Sequence, residues 1–275
     1  MKKLFVFFVF YILSNVVVGQ AFSSWLLDAN IGTCSYNGDL VQGESPFQRL
    51  KFAAGVNIHY RYNAHFNLRA GLNYGFIFGE DRLNSDPELQ QRNLSFYSHL
   101  FELSTGLQYN LRQLETLDEY SIPATPYIFA GAGLFHFDPY TYDNNNNKVF
   151  LQPLHTEGQG LSKYPDRTPY SLYQFCIPFG GGVTFKLSSN LYLSYEFTYH
   201  ILFTDYLDDV SKTYVSLVDL KNNFGQASAD LSFRQDGVPF SRRLGEIRGD
   251  KKDRDVYYFN LIKLSFFLDD PTYYY

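Results

Sequence analysis

Hydrophobic and polar residues alternate along most of this chain. In the run 50–62, every second residue is apolar or aromatic, and the residues between them include Lys51, Asn57 and Arg61. A strand with two unlike faces produces this pattern. The run 66–78 repeats it after the short connection 63–65. Two such runs joined by a short connection predict a β-hairpin.

Further segments show the same alternation, so the sequence predicts about eight strands. The segments 126–138 and 256–268 are less regularly phased than the others. An aromatic content of 19% agrees with a strand-rich fold, because aromatic side chains favour half-buried pleated surfaces. The further segments are 25–31, 101–109, 126–138, 175–186, 191–201 and 256–268.

The connections between the predicted strands are alternately long and short, except that 112–125 is long for a turn. An even number of antiparallel strands with this asymmetry is typical of outer-membrane barrels. We therefore expect an all-β fold: an eight-stranded antiparallel transmembrane (outer-membrane) β-barrel over residues 20–268, with short periplasmic turns and long external loops. In chain order the connections are 35–48, 63–65, 79–93, 112–125, 139–169, 188–190 and 203–254.

The polar face of these strands distinguishes a membrane barrel from a soluble one. A soluble barrel such as a lipocalin would turn its apolar face inward. Here the polar face mixes charged residues with glycines, and glycine in a strand fits places where backbones crowd. An eight-stranded barrel has an interior just wide enough for side chains. We therefore expect a packed polar network in the lumen, formed by Asp28, Arg61, Arg69, Glu102 and Glu196.

The N-terminus has the pattern of a secretory signal. Lys2 and Lys3 precede the apolar run 4–13, and Gly19 offers a small residue before a cleavage point. We expect residues 1–19 to be removed after Sec-type export, leaving the barrel integral to the bacterial outer membrane and residues 269–275 as a C-terminal tail. Cleavage leaves 21 basic and 28 acidic residues, and this net charge of −7 argues against a nucleic-acid partner.

Some polar residues could carry chemistry, but the patterns are weak. His59, His200 and Ser104, with Asp28 and Glu196, are the ingredients of a hydrolase or acyltransferase site. No nucleophile lies in a recognisable motif, and a charged lumen explains the same residues. We predict no catalytic residue, and the protein is not expected to be an enzyme.

Metal and thiol chemistry are also weakly indicated. Asp205, Asp208 and Asp209 could bind calcium, but they lack the alternation and closing glutamate of an EF-hand loop. A solvated acidic loop is the favoured interpretation, with no metal or cofactor. Cys34 and Cys176 fall on roughly opposite walls, beyond the ~7 Å limit for a disulfide, and are expected to be free. A mixed-charge surface is expected for Arg242, Arg243, Glu246, Arg248, Asp250, Lys251, Lys252, Asp253, Arg254 and Asp255.

The segment 156–170 has the composition of an ordered loop. Two glycines, two prolines and capping Asp and Thr residues can form a fixed turn. Ordered loops on rigid barrels often bind partners. The alternative is a loop that only covers the barrel.

Motifs in and around this segment resemble a known family. The motif-bearing runs are 36–40, 92–96, 126–129, 151–154, 156–161, 164–166, 169–172, 177–180 and 203–211. In order along nearly the whole mature chain, they resemble Bacteroidetes outer-membrane barrels, a family that includes the PorG-type component of the type IX secretion system. The chain departs from the family pattern in its tail, since residues 269–275 follow the closing aromatics of the last strand.

The resemblance implies a non-enzymatic part of the type IX secretion and gliding apparatus. A PorG-type barrel would touch the periplasmic PorK/PorN-type ring proteins and outer-membrane lipids. The motifs fall in outer loops, however, so a partner at the outer face stays open. The alternatives are an autonomous barrel that binds an external ligand or stabilises the envelope, and a lipid-modifying enzyme. The expected interaction residues are Thr156, Glu157, Gly158, Gln159, Gly160, Tyr164, Pro165, Asp166, Thr204, Asp205, Tyr206, Asp208 and Asp209.

Overall fold

The computed structural model of the chain describes residues 24–41, 47–112, 124–188, 190–235, 237–250 and 254–268. The predicted signal peptide (1–19), the predicted tail (269–275) and most of the connection 112–125 lie outside the described residues. The described strands are β1 (Ser24–Asn37), β2 (Lys51–Arg61), β3 (Phe66–Glu80), β4 (Ser95–Asn110), β5 (Ala124–His136), β6 (Tyr140–Tyr142), β7 (Lys148–Phe150), β8 (Tyr173–Lys186), β9 (Leu191–Leu202) and β10 (Val256–Phe267).

Eight of these strands close into one antiparallel barrel. Each pairs with its neighbour in the order β1, β2, β3, β4, β5, β8, β9, β10, and β10 pairs back with β1. The predicted eight-stranded antiparallel barrel is therefore confirmed. Several strands are longer than the segments in which apolar and polar residues alternate regularly. The strand β1 extends to Asn37, so that Cys34 lies inside it, and β4 begins at Ser95.

The barrel wall is apolar on the outside. Outward side chains such as Ile31 and Leu72 are 58% and 59% exposed, and Phe175 is 68% exposed. Large apolar surfaces of this kind are unstable in water and need a bilayer around them. The soluble-barrel alternative is therefore wrong, and the strands are membrane-spanning. Among the described residues, no helix is long and apolar enough to cross a membrane.

The inside of the barrel is filled in layers. In the half near the turns, charged and polar side chains such as Asp28, Glu196 and Lys263 are at most 3% exposed. In the half near the loops, the core is apolar and aromatic, with Phe135, Tyr257 and Phe259 nearly inaccessible. The two cysteines, Cys34 and Cys176, lie buried there and are free, as predicted.

The long connections contain structure that alternation did not reveal. The connection predicted as 139–169 begins with a hairpin of β6 and β7, which continues the barrel sheet because Tyr140 pairs with Tyr97 of β4. The connection predicted as 203–254 carries two short helices. The described helices are α1 (Pro87–Arg92), α2 (Leu217–Phe224) and α3 (Gln226–Ser232), with 3₁₀ turns at Asp81–Leu83, Gln152–Leu154 and Phe240–Arg242.

Glycines allow the strands of the wall to approach closely. Gly131 of β5 lies directly opposite Gly106 of β4. A Cβ atom on Gly131 would lie 2.1 Å from the carbonyl oxygen of Thr105. A side chain there would push the two strands apart.

We expect Gly131→Ala to lower the free energy of unfolding by about 1–3 kcal/mol, the usual cost of overpacking. Urea unfolding of the barrel in lipid vesicles measures this. Ala132→Val is the matched control, because Ala132 is on the same strand and points outward. Equal stability of the two variants would contradict the close approach.

Candidate functional site

The charged residues of the lumen form one compensated group around Glu196. Arg69 donates two hydrogen bonds to this carboxylate, at 2.8 and 2.9 Å. Lys263 Nζ and the Tyr127 hydroxyl each donate to Glu196 Oε2 at 2.8 Å. Two cations and one phenol therefore surround one carboxylate, and the second carboxylate of the group, Asp28, lies 3.8 Å from Lys263 Nζ.

The remaining predicted lumen residues lie on either side of this group. Asp28 Oδ2 is 2.7 Å from His59 Nε2. Glu102 Oε2 is 2.8 Å from His200 Nε2 and accepts a 2.6 Å hydrogen bond from Tyr257. Arg61 lines a cavity of about 70 Å³ at the turn end of the barrel. The structure thus places all five predicted lumen residues inside the barrel.

The candidate hydrolase residues line two small cavities, since Asp28 and His59 face the cavity of about 70 Å³ at the turn end. The cavity beside Glu102, Ser104 and His200 is about 20 Å³, little more than one water molecule needs. Both histidines are held by buried carboxylates. Packing and ion pairing account for the positions of this set.

A layer of loops covers the other end of the barrel, and we call its buried polar part the cap cluster. It consists of Tyr36, Asp39, Arg92, Glu157, Asp205, Asp208, Asp209, Arg248 and Asp255. Tyr36 lies near the end of β1, and the others come from all four loops at this end. Each residue except Asp205 is at most 7% exposed.

Glu157 joins the loop after β7 to the loop after β9. Its Oε1 accepts hydrogen bonds of 3.1 Å from the backbone N–H groups of Ser211 and Lys212 and from the Arg248 guanidinium. The turn that presents it requires glycine at position 158, where φ is +74° and a Cβ would lie 2.8 Å from the Tyr164 ring. The local sequence therefore fixes the position of this carboxylate.

The aspartates after β9 are held in the same way. Asp209 accepts hydrogen bonds from Thr156 Oγ1 at 2.5 Å and from the Tyr170 hydroxyl at 2.7 Å. Asp208 accepts from the hydroxyl of Tyr36. That hydroxyl also lies 3.2 Å from Asp255 Oδ1, although it has only one proton to donate.

Two buried arginines supply the positive charge of the cap cluster. Arg92 binds Asp81 through two 2.7 Å contacts and donates to the carbonyl oxygen of Asp39. Arg248 donates to the Asp209 carbonyl oxygen at 2.8 Å and to Glu157. Six carboxyl groups therefore share two guanidinium groups, one of which is already paired with Asp81.

This excess of buried carboxyl groups favours protonated acids. Burial, together with the nearby Asp39 and Glu157, raises the pKa of Asp205 to about 7. Burial also raises the pKa of Asp39 to about 6, and that of Asp209 to about 6 in spite of Arg248. The pKa values of Asp208 and Asp255 are raised well above the usual range by burial and by neighbouring aspartates.

Most of the predicted interaction residues point into the cap instead of outward. Thr156, Glu157, Gln159, Asp208 and Asp209 are at most 1% exposed. Gly158 and Thr204 are also buried, and Tyr164, Asp205 and Tyr206 are half-buried. Gly160, Pro165 and Asp166 are exposed, and Asp166 contacts Lys212 at 3.0 Å. In this arrangement only these three present a fully exposed surface to a partner.

Two other expectations about the loops change. The acidic loop at 205–209 is largely buried and not solvated, and among the described residues no group of three or more His, Cys, Asp or Glu side chains is arranged to hold a metal ion. The stretch expected to be a mixed-charge surface contains Arg248 and Asp255, which are 2% and 0% exposed. Both residues contact partners far away in the chain: Arg248 contacts Glu157, and Asp255 contacts Tyr36.

Sequence reasoning missed Lys263, Tyr127 and the arginines of the cap cluster. For Lys263 a signal existed: with Tyr257, Phe259 and Leu261 it occupies every second position of β10. The alternation of inward and outward residues in β10 is hard to recognise, because Tyr258 and Asn260, which lie between these positions near the loop end, are also buried. For Arg92 and Arg248 no local pattern distinguishes a buried arginine from a surface one.

The chain matches one protein family and is similar to several solved barrel structures. Residues 2–245 match the family described as a domain of unknown function (DUF6089). No curated protein matches the chain. Among solved structures, Ail of Yersinia pestis is 8% identical, with 90% of this chain and 99% of that chain covered and a TM-score of 0.42.

Two further structures are similar at the same level. Neisserial surface protein A is 10% identical, with coverage of 88% of this chain and 96% of that chain and a TM-score of 0.42. A major outer membrane protein from Thermus thermophilus is 10% identical, with coverage of 90% and 100% and a TM-score of 0.44. The fold described above rests on the strand pairing and not on these similarities.

We expect the cap to loosen as the pH rises. Carboxyl groups whose pKa is raised in the folded state bind more protons there than in open loops, so they stabilise the cap fully below about pH 4 and lose that contribution as the pH rises to about 7. Hydrogen exchange at the backbone N–H groups of Leu207 and Val210, corrected for the intrinsic effect of pH, measures the free energy of opening.

Asp205→Asn is the informative variant, because it removes the group with a pKa of about 7 and keeps an oxygen that can accept from Ser211. The upper part of the pH dependence should flatten in this variant. Opening free energies that are constant or rise between pH 5 and pH 8 would contradict the argument.

In the lumen, we expect Glu196→Ala to cost about 3–5 kcal/mol in the free energy of unfolding, because it leaves the buried charges of Arg69 and Lys263 without their main partner. The control is Glu246→Gln, which breaks the exposed Arg243–Glu246 pair and should cost less than about 1 kcal/mol. Urea unfolding in vesicles measures both, and similar costs would show that the lumen group is not tightly compensated.

Proposed function

This chain belongs to the family described as a domain of unknown function (DUF6089), and from that premise we propose that it is a non-enzymatic outer-membrane barrel with a structural role. The observation that carries this proposal is the filled lumen. Charged, aromatic and cap layers follow one another from the turn end to the loop end, with interior cavities of about 70 and 20 Å³. A barrel filled in this way acts through its surfaces.

More specifically, we propose an assembly role in the type IX secretion apparatus. The motifs that resemble the PorG-type family contain Glu157, Asp208 and Asp209, and these residues hold the cap together. Their place in the outer loops therefore has a structural explanation and does not require an outer partner. The proposed partner is the periplasmic PorK/PorN-type ring, and the partner surface is the turn end of the barrel, reached after Sec-type export.

Position-specific crosslinking tests which end of the barrel meets the ring. Photoreactive residues at Arg112 and Ser188 probe the turn end, and the same residues at Ser162 and Lys221 probe the cap; all four positions are exposed. We expect crosslinks to ring proteins from the first pair and none from the second. Crosslinks from the cap positions alone would contradict periplasmic docking.

Deleting the gene should also block secretion of cargo that carries the C-terminal signal of this system, and the wild-type gene should restore it. Intact secretion in the deletion strain would reject the type IX role. The autonomous envelope barrel would then stand, with loss of envelope integrity as its phenotype. Unchanged lipid acylation in the same strain would count against a lipid-modifying enzyme.

A further inference from the structure

One side of the barrel carries a row of aromatic rings at the outer edge of the membrane. Phe66 and Phe78 are the first and last outward aromatic residues of β3. At ~3.3 Å per residue and a tilt of about 40°, they lie roughly 30 Å apart along the membrane normal, against an apolar belt of about 25 Å. Phe78 therefore stands at the level of the lipid headgroups when Phe66 lies at the opposite edge.

The row continues from β3 across β4 to the β6–β7 hairpin. The Phe78 and Tyr97 ring centroids are 6.2 Å apart with an angle of 9° between the planes. Tyr97 and Tyr140 are 5.6 Å apart at 27°. The hairpin is held in place by its pairing with β4, and its own two strands are in aromatic contact through Tyr140 and Phe150 at 6.1 Å. Three nearly parallel rings thus form a fixed row.

An amine lies over each end of this row. Lys51 Nζ is 4.4 Å from the Phe78 centroid, and Lys148 Nζ is 3.7 Å from the Tyr140 centroid. Within the described part of the chain, neither lysine has a carboxylate within 4.0 Å. We call Lys51, Phe78, Tyr97, Tyr140 and Lys148 the rim platform.

The acidic group closest to the middle of the platform is already neutralised. Glu80 accepts a 2.5 Å hydrogen bond from the Tyr97 hydroxyl and forms a 2.5 Å ion pair with Arg82. Glu80 is 5% exposed, whereas the Arg82 side chain is 68% exposed. The surface presented to the membrane edge therefore consists of the partly exposed rings of Phe78 and Tyr97 and of the two amines, while the Tyr140 ring, 6% exposed, lies beneath Lys148 and supports it. Asp138 is a further acidic group near Lys148, outside 4.0 Å of its amine.

We propose that the rim platform binds the phosphorylated sugar headgroup of an outer-leaflet glycolipid. Anionic groups of lipids attract basic side chains at this level, and aromatic rings offer flat faces to the apolar sides of sugars. The amines sit over the two outer rings of a row of three, so a headgroup with two phosphates can offer one phosphate to each amine. This inference needs only the membrane position of the barrel and is independent of the type IX role.

Native mass spectrometry of the full barrel in detergent micelles tests the proposal with bisphosphorylated lipid A as the probe. We expect wild-type protein to retain lipid A. Lys51→Gln and Lys148→Gln should each weaken binding about fivefold, the effect of losing one basic contact at an anionic surface. Lys221→Gln is the matched control, since Lys221 is an exposed lysine of the cap, and it should bind like the wild type.

Two comparison lipids separate the proposed chemistry from general charge attraction. Dephosphorylated lipid A should bind weakly to every variant, and phosphatidylglycerol should bind weakly to the wild type. The proposal is overturned if the double variant K51Q/K148Q retains lipid A as well as Lys221→Gln does. Equal retention of phosphatidylglycerol and lipid A, or of the two forms of lipid A, would overturn it as well. Heat-modifiable migration on gels confirms that each variant is folded.

Discussion

The compensation of charge inside the barrel is the constraint on which the rest of this structure depends. The outer wall faces lipid, so polar groups of the strands can only point inward. There they lie in a space too narrow for bulk water, where an unpaired ion costs several kcal/mol. The charges compensate one another here, because the Glu196 carboxylate accepts short hydrogen bonds from both Arg69 and Lys263. Because those residues come from β9, β3 and β10, the same contacts tie opposite walls of the barrel together.

The layers above follow from the same constraint. Toward the loops the lumen becomes aromatic, and Glu102 is the last buried carboxylate, satisfied by His200 and Tyr257. Above the aromatic layer, the cap cluster again buries carboxyl groups, but with fewer cations beside them, and burial raises the pKa of Asp208 and Asp255 well above the usual range. A barrel filled by three different kinds of packing leaves its surfaces as the places where partners can bind, and we propose the rim platform and the turn end as two such surfaces.

The sequence predicted the wall of this barrel far better than its loops, for a physical reason. Residues two positions apart lie on the same face of a strand, so the alternation around Leu72 or Phe175 is visible in a short stretch of sequence. The phase of β10 was obscured because Tyr257 and Tyr258 are aromatic and buried on both faces. The cap depends on contacts such as Tyr36 with Asp208 and Asp39 with Asp250, which join residues far apart in the chain. No local pattern contains such contacts, so loop residues expected to meet a partner instead meet one another.

Tyr36 also links the cap to the closing seam of the barrel. It lies near the end of β1 and pairs with Tyr257 of β10, while Asp255 immediately precedes β10. The first and last strands of the chain must be side by side before this hydroxyl can reach Asp255, and Gly38 leaves the space in which they meet. The ordered outer surface is thus available only on a completed barrel. A chain whose first and last strands had not yet paired could not form these contacts, so the cap is a feature of the closed barrel alone.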